Sequence, residues 1–274
     1  LRSFLLSATS NRLKALFAGA AITALMQSSS ATTIMLIGFA GAGLVGLSET
    51  MGIILGADIG TTVTVQLLAF KIYDYAIAIV GFGVLLRFLS STGKFRDTGL
   101  AFIGFGFVFL ALKILIETFA PLAADPNFSG AIIGLGKDPL AGIIISALLT
   151  ALLHSSAATL ALAITAAHSG FLTLEAAMPI VLGANIGTCA SAVVSSIGAP
   201  VDAKRVALAH IMFKVLGVII VYPFLGLLTD LVFFASTDLA RGVAYAHTFF
   251  NIAIAILFLP FTGPFTKFVE YLLH

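Results

Sequence analysis

The chain has 274 residues, of which 60% are hydrophobic and only 9% are charged. A water-soluble domain of this size needs far more charge to cover its surface, so the composition indicates a protein embedded in a membrane. The net charge of +2 gives no reason to expect a nucleic-acid partner. The single cysteine excludes an internal disulfide and a cysteine-based metal cluster. With a mean hydropathy of +1.14 and recurring apolar runs of spanning length, we predict an all-α polytopic membrane protein.

The first polar interruption is the Gln-Ser-Ser-Ser string at residues 27–30, which lies between the apolar arms 15–26 and 31–43. Each arm has about a dozen residues and spans roughly 20 Å as a helix, which is short of the ~30 Å hydrocarbon core. Non-helical backbone at that depth is tolerated only where it lines a protein cavity. We therefore predict a re-entrant helical hairpin whose tip carries the serines.

A second irregularity follows within the apolar segment 48–70, where Gly56 and Gly60 flank Asp58. Paired glycines around a polar residue favour an unwound break in a spanning helix. Two ordinary spanning helices, at about 73–89 and 98–120, complete this part of the chain.

The same arrangement then repeats. Residues 23–33 read TALMQSSSATT and residues 150–160 read TALLHSSAATL, identical at seven of eleven positions. LGADIGT, which begins at Leu55, recurs as LGANIGT, identical at six of seven. Both matches have an offset of 127 residues, as from Gln27 to His154. We predict two homologous transmembrane repeats, 1–125 and 126–274, that together form one transport domain.

The two repeats are predicted to be inverted relative to each other. Three crossings separate the first hairpin from the second, and an odd number places the hairpins on opposite faces of the membrane. Basic residues divide nine to three between those faces, which puts residue 1 in the cytoplasm. The nine are Arg2, Arg12, Lys14, Arg87, Lys94, Arg96, Lys204, Arg205 and Lys267, and the three are Lys71, Lys137 and Arg241. The chain starts at Leu1 and not at Met, so we expect further sequence upstream.

These motifs suit an anion and a small cation. The second arm of each hairpin presents a helix N-terminus, whose free N–H groups and positive dipole end favour an oxyanion. Serine hydroxyls add neutral hydrogen-bond donors, which bind the anion weakly enough for it to be released. The predicted anion ligands are Ser28, Ser29, Ser30, His154, Ser155, Ser156 and Lys214. Oxygen-bearing side chains suit a hard cation, and the predicted sodium ligands are Gln27, Thr32, Asp58, Thr61, Asn185 and Thr188.

Lys214 is the least ordinary of these residues. It follows Arg205 by nine positions, so it lies about 14 Å into its helix and near the middle of the membrane. A lysine at that depth needs an anion or a partner. Either it supplies positive charge that sodium supplies elsewhere, or it pairs with a carboxylate such as Asp58. A His-x-x-x-Lys spacing at His210 is echoed by His247 and Asn251.

The strings QSSSATT and HSSAAT, each followed by GA(D/N)IGT, resemble the type II sodium–phosphate cotransporter family over nearly the whole chain. The chain looks most like the bacterial branch, whose members often carry a cytoplasmic PhoU-like domain, and no such domain is expected within residues 1–274. The resemblance implies phosphate as substrate, sodium as coupling ion, no organic cofactor, a bacterial inner membrane and a homodimer as a possibility. The chain departs from the family's pattern at His154 and Ala157, which replace a glutamine and a serine. The two repeats also differ in charge, because Asp58 of the first corresponds to Asn185 of the second.

Three other functions compete with a sodium-coupled phosphate transporter. Inverted repeats and half-helix dipoles also build anion channels, and a related transporter could carry another small oxyanion or export its substrate. An intramembrane hydrolase with Ser155 beside His154 is disfavoured, because adjacent residues on one helical turn point in different directions. We therefore predict that the chain is not an enzyme.

Overall fold

The computed structural model describes residues 9–89, 93–123, 125–127, 130, 138–168 and 172–274, and the described part is helical and contains no strand. The helices of the first half are α1 (Arg12–Met26), α2 (Ser29–Gly41), α3 (Leu47–Ala69), α4 (Ala76–Leu89) and α5 (Gly93–Ala123). Those of the second half are α6 (Pro139–Leu153), α7 (Ser156–His168), α8 (Leu174–Gly187), α9 (Cys189–Ser196), α10 (Val201–Val221), α11 (Leu225–Ala235), α12 (Leu239–Phe258) and α13 (Thr262–Leu272). Short 3-10 turns lie at Ile72–Tyr75, Tyr222–Phe224 and Leu259–Phe261.

Six helical segments within the described residues are long and apolar enough to cross a membrane. They are Leu47–Ala69, Ile72–Leu89, Gly93–Thr118, Leu174–Ser196, Val201–Ala235 and Leu239–Leu272. The prediction of an all-α protein that spans the membrane several times is confirmed. The four hairpin arms are shorter: α1 and α6 have 15 residues, and α2 and α7 have 13, or roughly 20 Å each. Whether the hairpins are re-entrant and the repeats inverted stays a prediction.

The spanning segments differ in how deeply they are buried. In the most apolar part of Leu47–Ala69 and of Leu174–Ser196, 78% of the residues are buried by the rest of the chain, against 17% for Ile72–Leu89. The helices α3 and α8 therefore form the centre, while α4 and α5 pack on each other at the periphery. Large apolar side chains on the outside, such as Phe88 and Phe234, are suited to contact lipid.

The 127-residue offset recurs in the packing. Helix α1 packs along α3, and α6 packs along α8 in the same way. Gly56 of α3 lies against the carbonyl oxygen of Leu16, and Gly183 of α8 lies against that of Ile143, so both partners of the contact are 127 residues apart. The absence of a Cβ lets each first arm approach its central helix closely.

The predicted helix break between Gly56 and Gly60 is wrong, because α3 continues without interruption through both glycines. In the second half the interruption falls at Thr188, just after Gly187, and separates α8 from α9. The glycines are present for a different physical reason. They allow close helix–helix contact. A glycine that serves close packing and a glycine that breaks a helix look the same in the sequence.

Gly56→Ala is expected to destabilise the protein by about 1–3 kcal/mol, because the added methyl group overlaps with backbone atoms of α1 that cannot move independently. The matched control is Gly38→Ala in α2, where no described atom outside the helix's own backbone lies within 4 Å of the point that a Cβ would occupy. That change is expected to be neutral or to stabilise the helix by about 0.5–1 kcal/mol. Thermal unfolding of the purified variants in detergent measures both, and equal melting temperatures would contradict the packing role of Gly56.

The second arms of the hairpins connect the two halves of the chain. Helix α2 packs against α9 and α10 of the second half, and α7 packs against α5 of the first half as well as against α12. The central helix α3 also packs along α12. Helix α2 thus connects the first hairpin to the second half, and α7 connects the second hairpin to the first half while also packing on its own half.

Candidate functional site

The tip of the first hairpin is a sharp reversal at two residues. Gln27 has left-handed backbone (φ 57°) and ends α1, and its N–H donates to the Thr23 carbonyl oxygen. Ser28 is extended and caps α2, because its Oγ accepts a hydrogen bond from the N–H of Ala31 at 3.1 Å. A serine cap satisfies one orphan N–H and leaves its own hydroxyl proton available to a ligand.

The tip of the second hairpin has the same geometry. His154 is left-handed (φ 52°) and ends α6, while the Ser155 Oγ accepts from the N–H of Ala158 at 3.2 Å. The His154 Nδ1 lies 3.2 Å from the Ser191 Oγ, which ties this tip to α9. Both reversals therefore occur at the two positions that the internal repeat aligns, although glutamine and histidine differ chemically.

A pair of threonines joins the arms of each hairpin below its tip. The hydroxyls of Thr23 and Thr32 are 2.8 Å apart, and those of Thr150 and Thr159 are 2.7 Å apart. All four side chains are buried. The bond holds the two arms of a hairpin at a fixed separation and so sets the position of the serines at its tip.

The two tips face each other across a small cavity of about 30 Å³. Its lining residues are Gln27, Ser28, Ser29, Ser30, Thr61, His154, Ser155, Ser156 and Ala157. The structure thus brings together six of the seven predicted anion ligands and two of the six predicted sodium ligands. The first turns of α2 and α7 both begin at this cavity, so two helix N-termini and several hydroxyls converge on one place. Such an arrangement is complementary to an oxyanion.

Lys214 lies elsewhere, in a cluster of buried polar side chains that we call the lysine cluster: Asp58, Asn185, Lys214 and Asn251. Its Nζ is 2.8 Å from Asp58 Oδ1 and donates to Asn185 Oδ1 at 2.8 Å and to Asn251 Oδ1 at 3.0 Å. All four residues are at most 3% exposed. The structure therefore places Lys214 beside the carboxylate, the second of the two arrangements predicted from the sequence, and outside the lining of the cavity between the tips.

The lysine cluster and the cavity are close neighbours. Asp58 precedes Thr61 by three residues in α3, which is less than one helical turn, or about 4.5 Å along the axis. Thr61 lines the cavity, whereas Asp58 contacts Lys214. One helix therefore carries both polar groups, and a movement of α3 would affect both.

Several buried polar atoms near these two places have no hydrogen-bond partner among the residues that the structure describes. They are Gln27 Oε1, Asp58 Oδ2 and both ring nitrogens of His210 and His247. The His210 Nε2 is 3.9 Å from Asp58 Oδ1. Buried acceptors without partners are costly, so they mark positions where an ion or water is expected to bind.

The remaining predicted sodium ligands have local roles. Thr32 contacts Thr23, and its hydroxyl is also within 3.2 Å of the Ser28 carbonyl oxygen. The Thr188 hydroxyl donates to the Asn185 carbonyl oxygen at 2.7 Å, beside the interruption between α8 and α9. Neither side chain lines the cavity between the tips.

Sequence reasoning missed some of the residues that shape the site. The contact of Asn251 with Lys214 was not predicted, although the His-x-x-x-Asn echo had singled that residue out. The threonines Thr23 and Thr150 stand at the start of the repeated strings and could have been found from the offset alone. Nothing in the sequence pointed to Ser191.

Comparison with known proteins identifies the family of this chain. Residues 1–117 and 120–260 match the family described as Na+/Pi-cotransporter. The chain is 34% identical to "Uncharacterized protein YqeW" of Bacillus subtilis, over 86% of this chain and 77% of that protein. It is 30% identical to "Putative inorganic phosphate export protein YjbB" of Escherichia coli K12, over 84% of this chain and 42% of that protein.

A more distant similarity extends to "Sodium-dependent phosphate transport protein 2B" of Homo sapiens, at 29% identity over 52% of this chain and 21% of that protein. The chain thus spans less than half of YjbB and about a fifth of the human protein. No solved structure matches it. The family match extends over nearly the whole chain and confirms the resemblance seen in the repeated serine strings. The chain belongs to the Na+/Pi-cotransporter family, a family of transporters and not of enzymes.

Proposed function

We propose that this protein moves inorganic phosphate across the membrane in a process coupled to sodium, with the phosphate held between the two hairpin tips. The observation that carries the proposal is the cavity at which both serine-bearing tips and two helix N-termini converge. Hydroxyl and backbone N–H donors are neutral, so they can bind a phosphate ion without the tight grip of an arginine cluster. A transporter needs such a balance, because its substrate must leave as well as bind.

The size of the cavity bears on the transport cycle. A volume of about 30 Å³ has room for roughly two water molecules. A phosphate ion is larger than two water molecules, so the tips must separate to admit it. We propose that opening toward one side of the membrane and then toward the other gives alternating access, with each hairpin controlling one route.

The sodium ion is proposed to bind at the first tip, through Gln27 and Thr61. Gln27 Oε1 is a buried oxygen without a hydrogen-bond partner among the described residues, and its amide nitrogen already donates to the Ala24 carbonyl oxygen. The Thr61 hydroxyl lines the same cavity. Oxygen atoms of this kind are the ligands that hard cations prefer, and a cation here would also screen the phosphate charge.

Uptake of radiolabelled phosphate into proteoliposomes tests the proposal directly. A transporter is expected to show saturable flux that increases with an imposed sodium gradient, whereas an anion channel would show flux without stoichiometric coupling. Excess unlabelled sulfate or a small carboxylate should compete poorly. Phosphate flux that does not depend on sodium would contradict the proposed coupling. Strong competition by sulfate would contradict phosphate as the preferred substrate.

The name of the Escherichia coli relative YjbB, an inorganic phosphate export protein, favours export as the direction of net movement. Vesicles loaded with phosphate and placed in a phosphate-free medium measure this direction, and an outward flux that exceeds the inward flux at matched gradients would support it. The orientation of the protein must be determined in the same vesicles by protease protection.

Gln27→Gly separates the sodium proposal from the stability of the tip. Glycine adopts left-handed backbone without strain, so the melting temperature is expected to stay the same or rise. Loss of the amide oxygen is expected to raise the sodium concentration required for half-maximal flux by roughly 10-fold or more. The matched control is Lys71→Gly, because Lys71 also has left-handed backbone (φ 56°) but does not line the cavity, so the sodium requirement should stay nearly unchanged.

A further inference from the structure

We propose that the ammonium group of Lys214 is a built-in cation, occupying an oxygen-lined site that would hold a sodium ion if the lysine were absent. The inference deepens the proposed sodium coupling, and it rests on the proposed function only for its transport measurement. It predicts that one cation site of this protein is filled permanently by the chain itself.

The surroundings of the Lys214 Nζ resemble the ligand shell of a metal ion. Its three partners are oxygen atoms at 2.8–3.0 Å, one from each of the helices α3, α8 and α12, and none from its own helix α10. One is a carboxylate oxygen and two are amide carbonyl oxygens. Such a set has no nitrogen or sulfur ligand and suits a hard cation.

The two amide oxygens are held in place before any cation binds. The Asn185 Nδ2 donates to the Val181 carbonyl oxygen at 2.9 Å, and the Asn251 Nδ2 donates to the His247 carbonyl oxygen at 2.8 Å. Because each amide nitrogen is bonded to its own helix, each Oδ1 must point toward the centre of the cluster. This fixed orientation favours a cation over any other occupant.

An ion pair with a purely structural role would need fewer oxygen atoms around the Lys214 Nζ. Lysine and aspartate alone neutralise each other, yet two further carbonyl oxygens converge on the same nitrogen atom. A fourth oxygen, Asp58 Oδ2, is buried nearby and has no hydrogen-bond partner within the described residues. Without the Lys214 side chain, the buried Asp58 carboxylate would lie beside the Asn185 and Asn251 oxygens with no positive partner, and either a sodium ion or a proton would have to neutralise it.

The position of the cluster gives it a role in transport. Asp58 lies less than one helical turn from Thr61, which lines the cavity between the tips. The ammonium group of Lys214 therefore supplies positive charge close to the cavity proposed to hold phosphate, without a second ion having to bind and leave. Truncating the lysine should convert this fixed charge into a requirement for an additional sodium ion.

Thermal unfolding of the purified protein tests the inference without any transport measurement. Wild type, Lys214→Ala and Asp58→Asn/Lys214→Ala are compared in sodium, potassium and choline chloride at equal ionic strength. At about 100 mM sodium, the single variant is expected to gain roughly 5 °C more than the wild type does, if the new site is well saturated. The double variant, which lacks the carboxylate, is expected to lose this extra gain. Lys113→Ala, at a lysine far from the cluster in sequence and partly exposed, should behave like the wild type.

A variant that does not fold is also informative. Lys214→Gln keeps a shorter polar side chain and is used in parallel, with the same sign of effect expected. If neither single variant can be purified even in about 300 mM sodium, while the double variant folds, sodium cannot replace the ammonium and the inference is overturned. An equal sodium response in Lys214→Ala and wild type would overturn it as well.

Phosphate flux then distinguishes this inference from the proposed function. The Lys214→Ala variant is expected to show a steeper dependence of flux on sodium than the wild type, because one more ion takes part. If the wild type does not move phosphate, the proposed function fails, but the melting experiment still decides the cation site. If the wild type shows sodium-coupled flux and the variants show no altered response to sodium, only the present inference fails.

Discussion

In a sodium-free buffer, Lys214→Met is expected to destabilise the protein by about 3–5 kcal/mol, which is the largest effect of any single substitution considered for this chain. The change leaves Asp58 charged, only 3% exposed and without its cationic partner. Asp58→Asn is expected to cost a similar amount, because it leaves the lysine charge uncompensated. Asp58→Asn/Lys214→Met removes both charges and should recover most of the loss. Thermal unfolding in detergent gives all four corners of this double-mutant cycle.

The control for this cycle is the pair formed by Lys113 and Asp74, whose charged atoms are 3.2 Å apart but whose side chains are 28% and 50% exposed. Breaking an exposed pair is expected to cost less than about 1 kcal/mol, because water solvates the group that remains. If the stability lost in Asp58→Asn/Lys214→Met equals the sum of the losses in the two single variants, Asp58 and Lys214 are not energetically coupled, contrary to the geometry.

The second large effect is expected at the serines that begin α2 and α7. Ser29→Ala and Ser156→Ala each remove one hydroxyl at the first helical position of a hairpin tip, and both side chains are at most 7% exposed. A hydrogen bond to a charged ligand contributes about 1.5–3 kcal/mol, so each variant is expected to reduce phosphate flux at low concentration by roughly 10-fold to 100-fold. The double variant should be nearly inactive. Proteoliposome flux as a function of phosphate concentration measures these changes.

Two controls separate binding from folding in this experiment. Ser196→Ala removes a hydroxyl that donates only to the Val193 carbonyl oxygen at the end of α9, so flux should be unchanged. Ser28→Ala removes the cap of α2 and is expected to cost about 1 kcal/mol of stability in addition to any loss of flux. Normal flux in both Ser29→Ala and Ser156→Ala would show that the anion binds elsewhere.

Much of the hairpin geometry could be predicted from the sequence, because it is local and occurs twice. A polar string between two arms of half-membrane length predicts a reversal, and its recurrence at a fixed offset shows that the string is not accidental. The structure places the reversals at Gln27 and His154 and gathers both serine strings around one cavity. The spanning segments at 73–89 and 98–120 were also predicted, since they are continuous apolar runs.

The lysine cluster could be predicted only in part, because it depends on how four helices are rotated about their axes. The sequence shows that Lys214 is deep in a helix and that Asp58 is available as a partner. It does not show that Asn185 and Asn251 turn their oxygens toward the same point. The glycines of α3 and α8 were misinterpreted for a related reason: glycine permits both a flexible backbone and close packing, and only the neighbouring helix shows which of these is used.

The crossing of the second arms from one half of the protein to the other has a consequence for the stability of each half. Helix α2 packs on α9 and α10, and α7 packs on α5, so each half covers surfaces that the other would leave bare. Either half on its own would therefore leave apolar helix surface without the protein partner that covers it in the whole chain. The lysine cluster joins the halves as well, because Lys214 of the second half contacts Asp58 of the first half and Asn185 of its own half.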